Sequence, residues 1–177
     1  MKFKIIAAVC KGGGIGLNGQ LPWKIKEDLA FFSKLTKGDG NNAVVMGRKT
    51  WDSLPGKHLL KRDNLIISNT IEIEKRCETS NKELVKTFNC LDDLVNFCKT
   101  QKYDQVWVIG GNTIYKEFID KDLVDICCIT YIKEKYNCDT FFPSLPDGWK
   151  LENVFPLPNK KEIEVRRLVK YHNMDYR

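Results

Sequence analysis

The chain has 177 residues, 42% hydrophobic and 29% charged, and 29 basic side chains against 23 acidic ones give a net charge of +6. That apolar content excludes intrinsic disorder, and 12 glycines and 6 prolines are too few for a collagen-like or low-complexity chain. No apolar run approaches the roughly 20 residues of a membrane helix, so the expectation is one globular domain over 1–177, with no membrane contact, burying roughly 70% of its unfolded surface.

In chain order, segments 4–10, 43–46, 65–68, 106–109 and 124–130 are short, β-branched and apolar on both faces, as strands buried in a parallel sheet are. Between them, 26–37, 91–100 and 112–119 carry a 3.6-residue apolar period; Leu91, Leu94, Val95 and Cys98 share one face. This alternation predicts an α/β fold with helices on both faces of a mostly parallel sheet. Segments 149–156 and 162–171 are strand-like and joined by a turn too short for a crossover helix, so they are predicted to pair antiparallel.

Three glycine sites follow strands. Gly14, Gly16 and Gly19 fit G-x-G-x-x-G, but Pro22 makes the next residues extended where a dinucleotide fingerprint needs a helix. The better reading is a mobile loop that closes over a ligand. Gly47-Arg48-Lys49-Thr50 combines a strand end, two cations and a hydroxyl, suited either to phosphate or to an ordinary basic turn. Gly110-Gly111 before a helix brings backbone and unpaired N–H groups toward an anion, or serves as plain turn chemistry. Two phosphate-suited turns after different strands fit an extended, multiply phosphorylated ligand such as a dinucleotide.

The helix from residue 26 places Asp28 on the same stripe as Phe31, Phe32 and Leu35. An acid there either complements the helix dipole or stands in an apolar pocket, where desolvation raises its pKa and it can hold an amidine-like heterocycle. His58 and His172 lie outside the apolar patterns and read as surface residues. The seven cysteines lack a CxxC pair and fit no zinc spacing, which predicts reduced thiols, a cytoplasmic setting and no metal. The basic excess suits anionic small molecules or a solvated surface. No run of five like charges points to nucleic acid.

Four motifs in register, Gly14-Ile15-Gly16 with Leu21-Pro22-Trp23 and Asp28, Met46 to Trp51, Ile109 to Asn112 with Tyr115, and Asp139 to Pro143, resemble dihydrofolate reductase from about Phe3 to Tyr171. The resemblance implies an eight-stranded, mostly parallel twisted sheet with an antiparallel C-terminal strand and about four helices. It also implies NADPH-dependent reduction of dihydrofolate to tetrahydrofolate, by hydride transfer to C6 with protonation of N5, in one-carbon metabolism. Asp28 would bind the pterin 2-amino group and N3, supported by Thr140; Leu21 and Trp23 belong to the same catalytic set. Ile6, Ala7, Phe31, Phe32, Leu54, Leu59, Ile109 and Tyr115 would surround the substrate, and Arg62 would bind its glutamate carboxylate. For NADPH the implied residues are Ala8, Ile15, Gly16, Asn18, Gly19 and Leu21 around the nicotinamide. Gly47, Arg48, Lys49, Thr50, Ser68, Asn69, Ile109, Gly110, Gly111, Asn112, Thr113, Ile114 and Tyr115 would hold phosphates and ribose.

Many family members have a basic residue where this chain has Asn69, and animal forms another at Asn89, so Arg48 is left to favour NADPH over NADH. The implied partners are dihydrofolate and antifolate-type small molecules, with the chain a monomer unless fused to or paired with thymidylate synthase. The tail 172–177 resembles the lead-in to that enzyme in bifunctional forms. The competing readings are a pyrimidinone reductase of the riboflavin-pathway type, which Leu21-Pro22-Trp23 and Asp28 disfavour, and a non-catalytic nucleic-acid binder.

Overall fold

The computed structural model describes residues 1–171. Its elements run β1 (Phe3–Cys10), β2 (Gly14–Gly16), α1 (Lys26–Lys37), β3 (Asn42–Gly47), α2 (Arg48–Ser53), β4 (Asp63–Ile67), β5 (Glu74–Arg76), β6 (Leu84–Phe88), α3 (Leu91–Thr100), β7 (Gln105–Gly110), α4 (Asn112–Asp120), β8 (Val124–Ile132), β9 (Thr140–Phe141), β10 (Trp149–Leu157) and β11 (Lys160–Lys170). The main sheet has the order β10-β11-β8-β1-β7-β3-β4-β6-β5, parallel from β8 to β6. The predicted hairpin β10–β11 pairs antiparallel and joins the sheet through β8, also antiparallel. Among the described residues, no helix is long and apolar enough to cross a membrane.

The resemblance implies eight strands, and the sheet has nine. The extra strand is the exposed, three-residue edge β5, whose Glu-Lys-Arg sequence carries no apolar pattern. Sequence reading also passed over β6, because Lys86 and Thr87 interrupt its apolar residues.

The central strands are apolar on both faces because both faces are covered. Ala43 and Val45 of β3 join one core cluster with Leu91, Leu94, Phe118 and Ile119, whereas Val44 and Met46 join another with Ile66 and Trp107, against which Phe31, Phe32 and Leu35 of α1 pack. The period of two in β3 thus sends alternate residues to helices on opposite sides.

The parting of two neighbouring strands places the site. β1 pairs with β7 only at Lys4↔Trp107 and Ile5↔Val108, while its pairing with β8 continues to Cys10↔Ile132. Beyond Ile5, β1 and β7 separate at their carboxyl ends, where open α/β sheets bind ligands. The Ile6 carbonyl, which takes no ladder bond from β7, instead accepts the Tyr115 hydroxyl at 2.9 Å. Burial raises the Tyr115 pKa far above its usual value, so the donor stays protonated. Tyr115→Phe should leave that carbonyl without its partner and lower unfolding stability by about 1–3 kcal/mol, measured by denaturant titration; an unchanged midpoint would show that the bond contributes nothing.

Candidate active site

Where β1 and β7 part, a cleft of about 560 Å³ opens, within the usual size range of small-molecule sites. One wall is the end of β1, Ile6, Ala7 and Ala8, and the opposite wall is Ile109, Gly110 and Gly111 at the end of β7. Asp28, Leu29 and Phe32 of α1 close one side, with Leu54 after α2. Ile15, Gly16, Gly19, Gln20 and Leu21 form a roof, whose β2 is tied to β9 by Gly14↔Phe141 and Gly16↔Thr140.

Asp28 is only 9% exposed and donates its N–H to the Ile25 carbonyl in the first turn of α1. Its Oδ1 accepts the Thr130 hydroxyl at 2.7 Å, and Oδ2 takes no hydrogen bond from the described residues. Burial raises the Asp28 pKa above its ordinary value, and the Thr130 hydrogen bond partly opposes the rise. The helix N-terminus also favours the charge, so both sequence readings of this acid hold together: a first-turn aspartate that lines an apolar cleft.

The supporting hydroxyl is a correction. The resemblance assigns it to Thr140, but Thr130 of β8 makes the bond. Thr140 is exposed on β9, beside Gly16, where it lines the cleft from the roof. Thr130 pairs with Ala8 in the sheet and is 1% exposed, a buried polar side chain directly after the apolar run Ile126 to Ile129. A small hydroxyl at the end of that apolar run is the signal that could have singled it out.

At the far end of the cleft the residues suit an anion. α4 begins after Gly111 with no side-chain cap, so its first N–H groups remain free beside Asn112, Thr113 and Ile114. Gly110 has φ +127, and a Cβ there would lie 3.4 Å from the Tyr115 hydroxyl and 3.5 Å from Thr50 Oγ1. Only glycine keeps backbone, ligand space and hydroxyls this close. Gly47, Arg48, Lys49, Thr50 and Ser53 form the adjoining wall. Arg48 chelates Asp52 through Nε at 2.9 and 3.0 Å and donates to Thr70 Oγ1 at 3.1 Å. Ser68, itself bonded to Thr70, is therefore linked to the cleft through Arg48, although neither Ser68 nor exposed Asn69 lines it. These donors fit the phosphates of a dinucleotide.

Other sequence-derived residues stand back from the cleft. Trp23 is buried against Tyr136, ring centroids 5.4 Å apart, and its Nε1 has no partner among the described residues, so a water is the natural acceptor. Asn18 is exposed and donates its backbone N–H to Asp139. Phe31 and Leu59 pack on the apolar cluster beneath α1. Arg62 is 4% exposed, donating from Nε to the Leu60 carbonyl and from Nη1 to Thr36 Oγ1, both at 2.8 Å. Burial lowers its pKa to about 10, opposed by the Glu83 charge, so it remains cationic at neutral pH. Sequence reasoning missed Gln20, Leu29, Ser53 and Ile67 in the lining, and Thr70 beside Arg48. His58, read as a surface residue, is largely covered, its side chain 15% exposed; His172 lies outside the described residues.

A family model for dihydrofolate reductase matches residues 2–172. The chain belongs to the dihydrofolate reductase family. Among its relatives, a dihydrofolate reductase of Heliothis virescens is 33% identical over 93% of this chain and 91% of its own length. One of Schistosoma mansoni is 38% identical over 87% and 84%. A bifunctional dihydrofolate reductase-thymidylate synthase of Arabidopsis thaliana is 35% identical over 81% of this chain, which spans 26% of that longer protein. The family is one of oxidoreductases, and its pattern accounts for an acid, a loop and two glycine turns converging on one cleft.

Because the Thr130 hydroxyl favours the ionised carboxylate, Thr130→Val should move the Asp28 ionisation upward by about one pH unit in the pH profile of kcat/KM. Thr130→Ser should restore the parent profile. An unmoved midpoint in Thr130→Val would mean that the hydroxyl does not act on the acid.

Proposed function

We propose that the chain reduces dihydrofolate to tetrahydrofolate with NADPH. The observation carrying this reading is a desolvated carboxylate with one free oxygen on the wall of an apolar cleft whose far end is built for phosphates. Asp28 Oδ2 and Oδ1 accept hydrogen bonds from the pterin 2-amino group and N3, a two-point contact that orients the ring. Phe32 and Leu54 flank the aminobenzoyl part, Ile6, Ala7 and Ile109 contact the ring, and Arg62 meets the glutamate carboxylate with the donors that Thr36 and Leu60 leave free. Asp28 holds the ring without delivering the N5 proton, which arrives by water.

NADPH, when bound, supplies the hydride for C6. Gly111 and the free N–H groups of α4, with Lys49 and Thr50, would hold its phosphates, while Arg48, Ser68 and Thr70 meet the 2′-phosphate. Ala8, Ile15, Gly16 and Leu21 enclose the nicotinamide and exclude bulk water. Loss of NADPH absorbance on mixing protein, NADPH and dihydrofolate tests the reading. No turnover with either NADPH or NADH would reject it. A cytoplasmic setting and a monomeric state, unless joined to thymidylate synthase, accompany it.

The Asp28 carboxyl, raised by burial, holds its proton to a higher pH when folded than the ordinary value of about 3.9. Stability therefore falls as pH rises from there through the folded-state value and stays lowered above it. Asp28→Asn should cut kcat/KM roughly 10²–10³-fold while the protein at neutral pH unfolds at the parent temperature or higher. Near-parent turnover would remove Asp28 from the mechanism. Arg48→Leu should weaken NADPH binding by about 1.5–3 kcal/mol and leave NADH binding unchanged, read by fluorescence titration; equal losses for both would place Arg48 away from the 2′-phosphate.

A further inference from the structure

Outside the cleft, three residues distant in sequence converge where the segment leading into β4 meets the β5–β6 hairpin. His58, Cys77 and Glu83 each offer one donor atom, and these atoms all lie within 4.8 Å of one another. Cys77 Sγ is 3.7 Å from His58 Nδ1, and Glu83 Oε2 is 3.6 Å from His58 Nε2. Those contacts use the two nitrogens of one ring, of which an ion takes one; a tetrahedral ion with bonds of 2.0–2.3 Å needs donors about 3.3–3.6 Å apart, so donors within 4.8 Å must close by about 1 Å around it.

Two groups in this cluster lack what a cation would provide. His58 Nε2 is buried with no hydrogen-bond partner among the described residues. Glu83, with a side chain 2% exposed, has His58 as its sole ion-pair partner among the described residues. The Lys61 N–H donates to its Oε1 and the Thr79 hydroxyl to its Oε2, which fixes the carboxylate in place. Its Oε2, taking the Thr79 hydroxyl, keeps a second lone pair. Cys77 is a free, partly exposed thiol, so solvent can reach the site.

We propose that His58, Cys77 and Glu83 bind one zinc ion, with water as the fourth ligand. A thiolate, an imidazole and a carboxylate form a donor set suited to a borderline-soft, four-coordinate ion. The ion would join the segment that carries Arg62 to the β5–β6 hairpin, through the Glu83 carboxylate that already anchors the Lys61 N–H.

Chelator-treated full chain titrated with Co²⁺, the spectroscopic substitute for zinc, should bind one equivalent. It should develop a thiolate-to-cobalt charge-transfer band that Zn²⁺ abolishes. Cys77→Ser should lose the band while keeping the parent circular dichroism, its metal-free unfolding temperature and turnover, because Cys77 is remote from the cleft. His58→Gln should weaken binding at least about tenfold. Absence of saturable binding to the parent, or a band that persists in Cys77→Ser through one of the other six thiols, would overturn the assignment.

Discussion

A carboxylate taken out of water on the wall of a cleft is the constraint around which this molecule is arranged. The Asp28 carboxylate loses hydration on folding and, among the described residues, recovers one hydrogen bond, from Thr130 of β8, together with the field of the α1 N-terminus. Each of those supports comes from a different element, so the acid depends on α1 lying where Thr130 of β8 can reach it. What remains unsatisfied is an oxygen facing a flat apolar space. In the proposed function, that deficit is the source of a nitrogen-rich ring's binding energy, because the ring's two donors would supply what water no longer does.

The cleft itself results from strand geometry. β1 keeps its pairing with β8 to Cys10 but leaves β7 after Ile5, and the separated ends receive Tyr115 from α4. The same divergence sets the α4 N-terminus and the Gly110–Gly111 turn opposite β1. One parting of strands therefore produces both ends of the site: an acid for a cationic or amide-rich ring and uncapped N–H groups for phosphate. The roof from β2 to Leu21 is held by a short pairing with β9 and by the Asn18 N–H on Asp139, few ties for a segment read from the sequence as a closing loop.

Much of this was legible in the residue pattern. The bounds of α1 and α3 follow from apolar periodicity, and the buried parallel strands announce themselves by β-branched runs without alternation. Asp28 stood out because a charge on an apolar stripe needs a reason. What depends on which strands become neighbours was not legible. Thr130 supports Asp28 because β8 lies beside β1, and the resemblance pointed instead to Thr140. Strand β6 was hidden because its polar residues break the run that marks deeper strands. Arg62 was named by the resemblance alone, and its burial under Thr36 emerged only from the packing of α1 on the loop. The grouping of His58, Cys77 and Glu83 has no recognisable spacing, since a β-hairpin and a long connection bring them together.

The central claim is that ligand and buried carboxylate meet directly, and carbon-13 NMR of labelled aspartate, with Asp28→Asn to assign the signal, reads that contact. In the free protein the Asp28 resonance should titrate above about 3.9; with a diaminopyrimidine bound it should remain ionised at every pH at which the complex persists. A resonance that titrates at or below the ordinary value, and does not respond to the ligand, would contradict the account.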